Sequence, residues 1–238
     1  MDWKVLADAL FPGGHDIVEH EQFLSGTARV DGQTVSVIGT TGHAPIGVEI
    51  ALAQAKAVLA TVRNHPGRPI VLLVDTQGQR LRHRDEMLGI NSYMAHLGKC
   101  IDLARHQGHR IIGLVYDQAL SGGFITSGLM ADACYALPDA TIRVMGLPAM
   151  ARITKVPEEK LVELARSNPV FAPGPENYLR MGGLQAIWEG DLEAHLANAI
   201  ANAPRDDQRS ALGLLRGGRK AAQPVIEAIV GGSNVRAA

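Results

Sequence analysis

The chain has 238 residues, 46% hydrophobic and 20% charged, which is typical of a soluble globular protein with a sizeable core. Its 23 Lys and Arg and 24 Asp and Glu residues leave a net charge of −1, so neither nucleic acid nor an anionic membrane is an expected partner. No apolar run approaches the roughly 20 residues of a membrane span. Two cysteines without metal-type spacing, and no signal-peptide pattern, predict a cytoplasmic protein without a metal site.

The predicted elements alternate between strands and helices. A hairpin is expected around Asp31-Gly32, because this dipeptide lies between the β-branched runs GTARV and QTVSVIG. Apolar residues at helical spacing then predict a helix over GVEIALAQAKAVLATVRN, which Pro66-Gly67 ends, and RPIVLLVD follows as a buried strand. The same order returns with a helix over EMLGINSYMAHLGKCIDLARHQG and a strand over HRIIGLVYD. Strand, helix, strand indicates parallel pairing with right-handed crossovers.

The pattern changes in the second half of the chain. A short helix through about Ala131 and two strands, CYALP and IRVMG, continue the alternation. From Val156 onward only helical patterns are evident, including one over GPENYLRMGGLQAIW. We therefore predict an α/β core over residues 1–155 and a helical C-terminal region over residues 156–238 that packs on the core or on a partner.

Ser121-Gly122-Gly123 follows the strand that is predicted to end at Asp117, and it opens the short helix. Glycine lets a ligand approach the backbone, and amides at a helix N-terminus carry partial positive charge, so this pair is a candidate oxyanion site. The structural alternative is that the glycines allow close packing, with Ser121 as the helix N-cap. A nucleophilic serine is disfavoured, because G-x-S-x-G is absent. Neither a P-loop nor a dinucleotide-binding glycine motif is present.

A second candidate site follows the strand that is predicted to end at Asp75, where the chain reads Gln77-Gly78-Gln79. Loops at such strand ends line the ligand clefts of open α/β sheets. The basic run QRLRHRDE comes next; solvated surface is the usual role of such a run, and contact with an anionic ligand or partner is the alternative. His83 in this run is the histidine placed beside a strand end, and is a candidate general acid or base.

Taken in order, these motifs resemble the carboxyltransferase branch of the crotonase-like (ClpP/crotonase) fold. ARVDGQTVSVIG is similar to its opening hairpin, LLVDTQGQ to its strand with Asp-x-x-Gly, SGGFITSG to its Gly-Gly helix start, and DACYALPDATIRVMG to the stretch that completes the site. The similarity runs from about Gly26 to Ile153. Within the branch, the length, the N-terminal PGG and the helical tail resemble the gamma subunits of malonate decarboxylase. The implied fold is an α/β superhelix of repeated β-β-α units.

The resemblance implies a decarboxylase subunit. In that family a gamma subunit pairs with a homologous beta subunit, and a malonyl thioester on an acyl-carrier subunit loses CO2 to leave the acetyl thioester. The implied partners are the beta, acyl-carrier and acyl-carrier transferase subunits. The carrier has a dephospho-coenzyme A-type prosthetic arm. No cofactor covalently bound to this chain is implied, and biotin is not expected.

The resemblance also assigns roles to residues. It implies backbone oxyanion donors at Gly78-Gln79 and at Gly122-Gly123, which face the carboxyl group being lost while the beta subunit holds the thioester oxygen. Gln77 and Ser121 stand where the carboxyltransferases usually have proline and often an aromatic residue, and with His83 they are the expected substrate contacts. Two alternatives stay open: a carboxyltransferase subunit that passes the carboxyl group to a biotin carrier, and a non-catalytic structural partner of the beta subunit.

Overall fold

The computed structural model describes residues 1–165, 174–218 and 220–232. Its strands are β1 (Val18–His20), β2 (Phe23–Val30), β3 (Gln33–Thr40), β4 (Ala44–Ile46), β5 (Ile70–Gln79), β6 (Ile111–Leu120), β7 (Ala133–Ala136), β8 (Thr141–Arg143) and β9 (Ala186–Ile187). Its helices are α1 (Trp3–Leu10), α2 (Val48–Asn64), α3 (His83–Met87), α4 (Ile90–His106), α5 (Ser121–Ile125), α6 (Leu147–Thr154), α7 (Glu158–Ala165), α8 (Glu176–Arg180), α9 (Leu192–Ala201), α10 (Arg209–Leu215) and α11 (Gln223–Gly232).

One sheet connects all of the described strands, in the order β1-β2-β3-β5-β6-β7-β9. β2 and β3 form the predicted hairpin, and both turn residues, Asp31 and Gly32, have positive φ angles of 46° and 75°. From β3 to β9 every neighbouring pair is parallel, which confirms the pairing predicted from the strand and helix order. β4 and β8 lie off this path, where they pair with β5 and β6.

The two central strands continue beyond the aspartates at which they were predicted to end. β5 pairs first with β3 and then with β4, so it runs to Gln79 rather than Asp75. β6 pairs first with β7 and then with β8, so it runs to Leu120 rather than Asp117. The predicted ends are wrong because short strands distant in sequence provide hydrogen-bond partners for the continuing backbone. β3-β4-α2 and β7-β8-α6 are β-β-α units of the predicted kind.

The central strands are covered on both faces. Val71 and Leu73 of β5 belong to a buried cluster that includes residues of α1 and α9. Ile70 and Leu72, which point to the other face, belong to a cluster with residues of α2 and α4. Burial on both faces explains why this strand reads as a continuous apolar run. In the described ranges, no helix is both long and apolar enough to cross a membrane.

The C-terminal region is not purely helical, which corrects the prediction from residue 156 onward. α8 is short, Gly182 after it has a φ of 82°, and β9 then pairs with β7. A strand of two residues shows no period in the sequence, so the pattern did not reveal it. Trp188 and Leu196 join the core cluster of α1, so this region completes the core. Residues 166–173, 219 and 233–238 of this region, the last of them predicted as a frayed end after Gly231, lie outside the described residues.

Most of the basic run after β5 is exposed, as expected for solvated surface, but Asp85 within it is buried, so that interpretation holds only in part. Asp85 is fully buried and accepts hydrogen bonds from Arg82 Nε at 2.7 Å and Nη2 at 2.8 Å. It also accepts the backbone N–H of Val48, the first residue of α2, at 3.4 Å. Glu49 in α2 binds both Arg82 and Arg84. This ion-pair network holds the segment after β5 against the start of α2.

Gly39 tests the contact between β3 and β5. A Cβ atom at Gly39 would lie 2.5 Å from the backbone oxygen of Leu73, whereas one at Gly98 in α4 would meet no atom within 4 Å. We expect Gly39→Ala to destabilise the fold by about 1–3 kcal/mol through overpacking. We expect Gly98→Ala to stabilise it by about 1 kcal/mol through helix propensity. Urea denaturation measures both, and equal effects would contradict the β3–β5 contact.

The ion pair of Asp85 leads us to expect that the stability of the fold depends on pH. The hydrogen bond from Arg82 lowers the pKa of Asp85 below its ordinary value of 3.8. The stabilisation is therefore complete above the unfolded pKa and is lost as the pH falls through the lower folded pKa. Asp85→Asn should be less stable than wild type at neutral pH, and the gap should narrow towards about pH 3. Denaturation midpoints over that range measure it, with the exposed Asp206→Asn as control. A gap independent of pH would rule out the charged interaction.

Candidate active site

A cleft of about 860 Å³ opens at the carboxyl ends of β5 and β6. Its polar lining residues are His43, Gln77, Gln79, Arg80, Gln118, Ser121 and Arg152. Its apolar lining residues are Pro45, Leu81, Leu120, Val144, Met145, Pro148, Ala149 and Ile153. The cleft is therefore lined by the loop after β3, the ends of both long strands and the segment that leads into α6. This is the edge at which parallel α/β sheets bind their ligands.

Another pocket, of about 410 Å³, lies at the opposite edge of the sheet, just before β6. Its lining is basic, but Arg105 already donates to Asp132 at 2.8 Å and lies 3.7 Å from Asp102. Amino ends of parallel strands are not where such sheets bind ligands. We therefore assign the candidate active site to the larger cleft.

The two glycine segments meet at the wall of the cleft. Gly78 has a φ of 93°, and a Cβ atom there would lie 2.8 Å from the Cβ of Ser121. A Cβ atom at Gly123 would lie 3.1 Å from the Cα of Gly78. The structure thus brings together two segments more than 40 residues apart in the sequence. Gln77, Gln79 and Ser121 are part of the cleft lining, whereas the three glycines are not.

The glycine amides differ in their availability. The N–H of Gly78 donates to Thr76 Oγ1 at 2.9 Å, so this N–H already has a hydrogen-bond acceptor within the chain. Gly122 and Gly123 lie in the first turn of α5, where backbone N–H groups have no intrahelical acceptor. Gly122 and Gly123 therefore lie at the kind of helix position whose N–H groups can bind an anion.

The two glycines of α5 also differ in their packing. A Cβ atom at Gly123 would lie within 3.1 Å of Thr76, Ile46 and Gly78, so close packing alone requires glycine there. At Gly122 a Cβ atom would meet only Met94 Cε, at an ordinary contact distance of 3.7 Å. The structural explanation is therefore sufficient for Gly123. It does not explain Gly122.

Ser121 is not the N-cap of α5, contrary to the prediction. The N-cap is Leu120, and no side chain caps this helix end. Ser121 itself has a φ of 54°, which is unusual for a residue other than glycine. The conformation arises because β6 leads directly into α5 without a loop. The sharp turn places Ser121 in the cleft lining.

His43 is a cleft residue that the sequence analysis missed. It lies between β3 and β4, and its Nε2 atom is 3.1 Å from Oδ1 of Asp117 and 3.7 Å from Oδ1 of Asp75. The side chain is 52% exposed. The available signal was its position four residues after Gly39, where the predicted strand QTVSVIG ends. His83, the predicted histidine, is exposed in α3 and is not among the lining residues.

Two carboxyl groups support His43 and differ in their electrostatics. Asp75 is 2% exposed and accepts the backbone N–H groups of His43 at 2.9 Å and Gln118 at 3.3 Å. Burial raises the pKa of Asp75, and these hydrogen bonds only partly oppose it. Burial also acts to raise the pKa of Asp117, but hydrogen bonds from the Met1 ammonium and His43 outweigh it and lower that pKa. Asp117 is thus an ionised partner for the imidazole.

One ligand-type atom from each of His43, Asp75 and Asp117 lies within 4.8 Å of the others, a spacing that would suit a metal ion. These atoms already have partners, however. Asp75 accepts hydrogen bonds from two backbone N–H groups. Asp117 accepts one from the Met1 ammonium at 2.7 Å and one from the imidazole. We therefore interpret the group as a hydrogen-bonded cluster.

Comparisons of the sequence relate the chain to known proteins. A family model described as malonate decarboxylase gamma subunit matches residues 41–233. The malonyl-S-ACP:biotin-protein carboxyltransferase MADD of Malonomonas rubra is 31% identical, over 82% of this chain and 78% of that protein.

Solved structures agree in fold. A chain of the Pseudomonas malonate decarboxylase hetero-tetramer in complex with coenzyme A is 26% identical with a TM-score of 0.80, over 95% of this chain and 97% of that chain. The Pseudomonas MdcD-MdcE hetero-dimer gives 26% identity and a TM-score of 0.77, over 96% and 97%. Transcarboxylase 12S, at 21% identity and a TM-score of 0.69 over 84% and 40%, shares the fold. The predicted crotonase-like fold is confirmed, and the chain belongs to the malonate decarboxylase gamma subunit family.

Proposed function

We propose that this chain is the gamma subunit of a malonate decarboxylase. With a homologous beta subunit it forms the site that converts malonyl-S-acyl-carrier protein to acetyl-S-acyl-carrier protein and CO2. The observation that carries the proposal is the cleft wall at which the Gly78 segment meets Gly122 and Gly123, in a chain whose residues 41–233 match the family.

The chemistry requires little of the protein beyond positioned hydrogen-bond donors. When the carboxyl carbon leaves as CO2, the electron pair of the broken C–C bond moves into the thioester as an enolate. Donors must stabilise charge that develops in the transition state without binding the ground-state carboxylate too tightly. With the beta subunit's donors at the thioester oxygen, the neutral amides of Gly122 and Gly123 orient the carboxyl group without binding it as tightly as an arginine would. No covalent intermediate with this chain is needed.

The remaining cleft residues fit the arm of an acyl carrier. Leu81, Val144 and Ile153 give an apolar surface for an extended chain, and the exposed Arg80 and Arg152 offer cations for phosphate groups. A dephospho-coenzyme A-type arm on the acyl-carrier subunit has both parts. We infer that this chain contacts the arm and holds no cofactor covalently.

The exposed apolar rim of the cleft is an argument for a partner subunit. Leu81, Val144 and Ile153 are 91%, 56% and 65% exposed, which is unusual for large apolar side chains that lie close together. The Pseudomonas relative is part of a hetero-dimer and a hetero-tetramer. We infer that a homologous beta subunit covers this rim and holds the thioester oxygen, and that acyl-carrier and acyl-carrier transferase subunits complete the enzyme. The two buried free thiols fit a reducing, cytoplasmic setting.

A second candidate function is transfer of the malonyl carboxyl group to biotin on a carrier protein. The observation that favours it is the Malonomonas rubra relative, which is named for that activity and is 31% identical. Both functions break the same C–C bond and form the same enolate. They differ in whether CO2 is released or captured by biotin.

Gly122 permits a test of the amide assignment. Gly122→Pro removes the N–H of the second residue of α5, where no intrahelical hydrogen bond is lost, whereas Gly122→Ala keeps the N–H and has room for the added methyl group. In the assembled complex we expect the proline variant to lose about 10²–10³-fold in kcat and the alanine variant to retain activity. Gel filtration verifies assembly. If both variants assemble and turn over normally, this chain completes the complex without contributing the amides.

Biotin dependence separates the two candidate functions. We expect the purified complex to release CO2 from malonyl-S-acyl-carrier protein at the same rate with and without added avidin. Radiolabelled malonyl thioester measures the CO2 release. Inhibition by avidin, reversed by a biotinylated carrier protein, would instead establish the carboxyltransferase function.

A further inference from the structure

The cleft contains one side chain that can exchange protons, and the mechanism above leaves it without a role. Of the described residues that line the cleft, His43, Arg80 and Arg152 carry ionisable groups. Arginine stays protonated in proteins, so it cannot act as a general acid or base. The imidazole of His43 is therefore the group in the cleft suited to proton transfer.

The surroundings of His43 fix its orientation. A carboxylate only accepts hydrogen bonds, so the 3.1 Å contact with Asp117 places a proton on Nε2 and leaves Nδ1 as the exchanging atom. The backbone N–H of His43 is held by Asp75 at 2.9 Å. Its φ of 52° is a conformation that histidine adopts more readily than most residues. Backbone and ring are thus held by two different carboxyl groups.

The titratable groups around His43 are few. Asp117 binds the imidazole through Oδ1 and the Met1 ammonium through Oδ2, and among the described residues Asp75 is the other carboxyl group within 4 Å of Nε2. Asp75 precedes Gly78 by three residues on β5, about 10 Å at the rise of a strand. His43 lines the same cleft as Gln77, Gln79 and Ser121, which flank the glycine amides, so His43 and the amides can contact different parts of one malonyl thioester.

We propose that His43 is a catalytic general acid that protonates the α-carbon of the enolate, directly or through one water, and that Asp75 and Asp117 are positioning residues. This inference rests on the proposed function. After CO2 has left, the enolate electron pair forms a C–H bond with the proton on Nδ1 of the imidazolium. The electrons of the N–H bond remain on Nδ1, and solvent returns the proton. The balance is one malonyl thioester and one proton to one acetyl thioester and one CO2.

The test uses the reverse proton transfer, which needs no decarboxylation. The assembled complex is incubated in D2O with acetyl-S-acyl-carrier protein, and mass spectrometry follows deuterium incorporation into the methyl group. We expect wild type to catalyse exchange and His43→Asn to lose about 10²–10⁴-fold. Asparagine is chosen because it tolerates the positive φ. His65→Gln, at an exposed position after α2, is the matched control and should exchange normally.

Two further measurements separate a chemical role from a structural one. Added imidazole should restore exchange to His43→Asn, and Asp117→Asn should lower kcat with KM unchanged. Wild-type complex that decarboxylates but shows no exchange would overturn the inference, as would normal exchange in an assembled His43→Asn or His43→Gln complex. A complex that needs biotin for turnover yet loses exchange in His43→Asn would refute the proposed function and leave the role of His43 supported.

Discussion

The buried carboxyl group of Asp75 is the constraint on which the cleft depends. It accepts the backbone amides of His43 and Gln118 where the β5–β6 register shifts between Val74 and Thr76. A buried amide without an acceptor would be costly, so a carboxyl group at this bend lets both strands change partners and continue. The loop after β3, the end of β5 and the end of β6 are thereby tied to one side chain.

Beyond the bend, the cleft wall is made of closely packed backbone. Gly78 lies against Ser121, and Gly123 against Gly78, at distances where a methyl group would clash. This packing sets α5 directly on the end of β5. In the proposed function, main-chain amides whose positions the fold determines serve as the rigid donors. Gly122 is the member of the set that packing does not require, and so the one that reports on function.

The sequence reveals those parts of this structure that depend on local pattern. The hairpin at Asp31-Gly32 and the two-sided burial of RPIVLLVD follow from turn chemistry and hydrophobic continuity. The ends of β5 and β6 depend on β4 and β8, which are distant in sequence, and the N-cap prediction for Ser121 failed because no loop precedes α5. His43 meets Asp117 across 74 residues, so no local spacing could identify the pair. The glycine segments could be predicted because the glycines themselves are visible in the sequence, and the donors they provide belong to the backbone.

The absence of a strong nucleophile motif from the sequence follows from the kind of chemistry proposed. Decarboxylation and carboxyl transfer share an enolate, so the proposed function and its alternative require the same elements: main-chain donors and a proton-exchanging or carboxyl-accepting group. By the resemblance, Gln77 and Ser121 stand where the carboxyltransferases usually have proline and often an aromatic residue, and both line the cleft here. With a proton donor in place of biotin, the enolate is quenched as acetyl thioester. In the proposed mechanism His43, in the lining of the same cleft, supplies that proton.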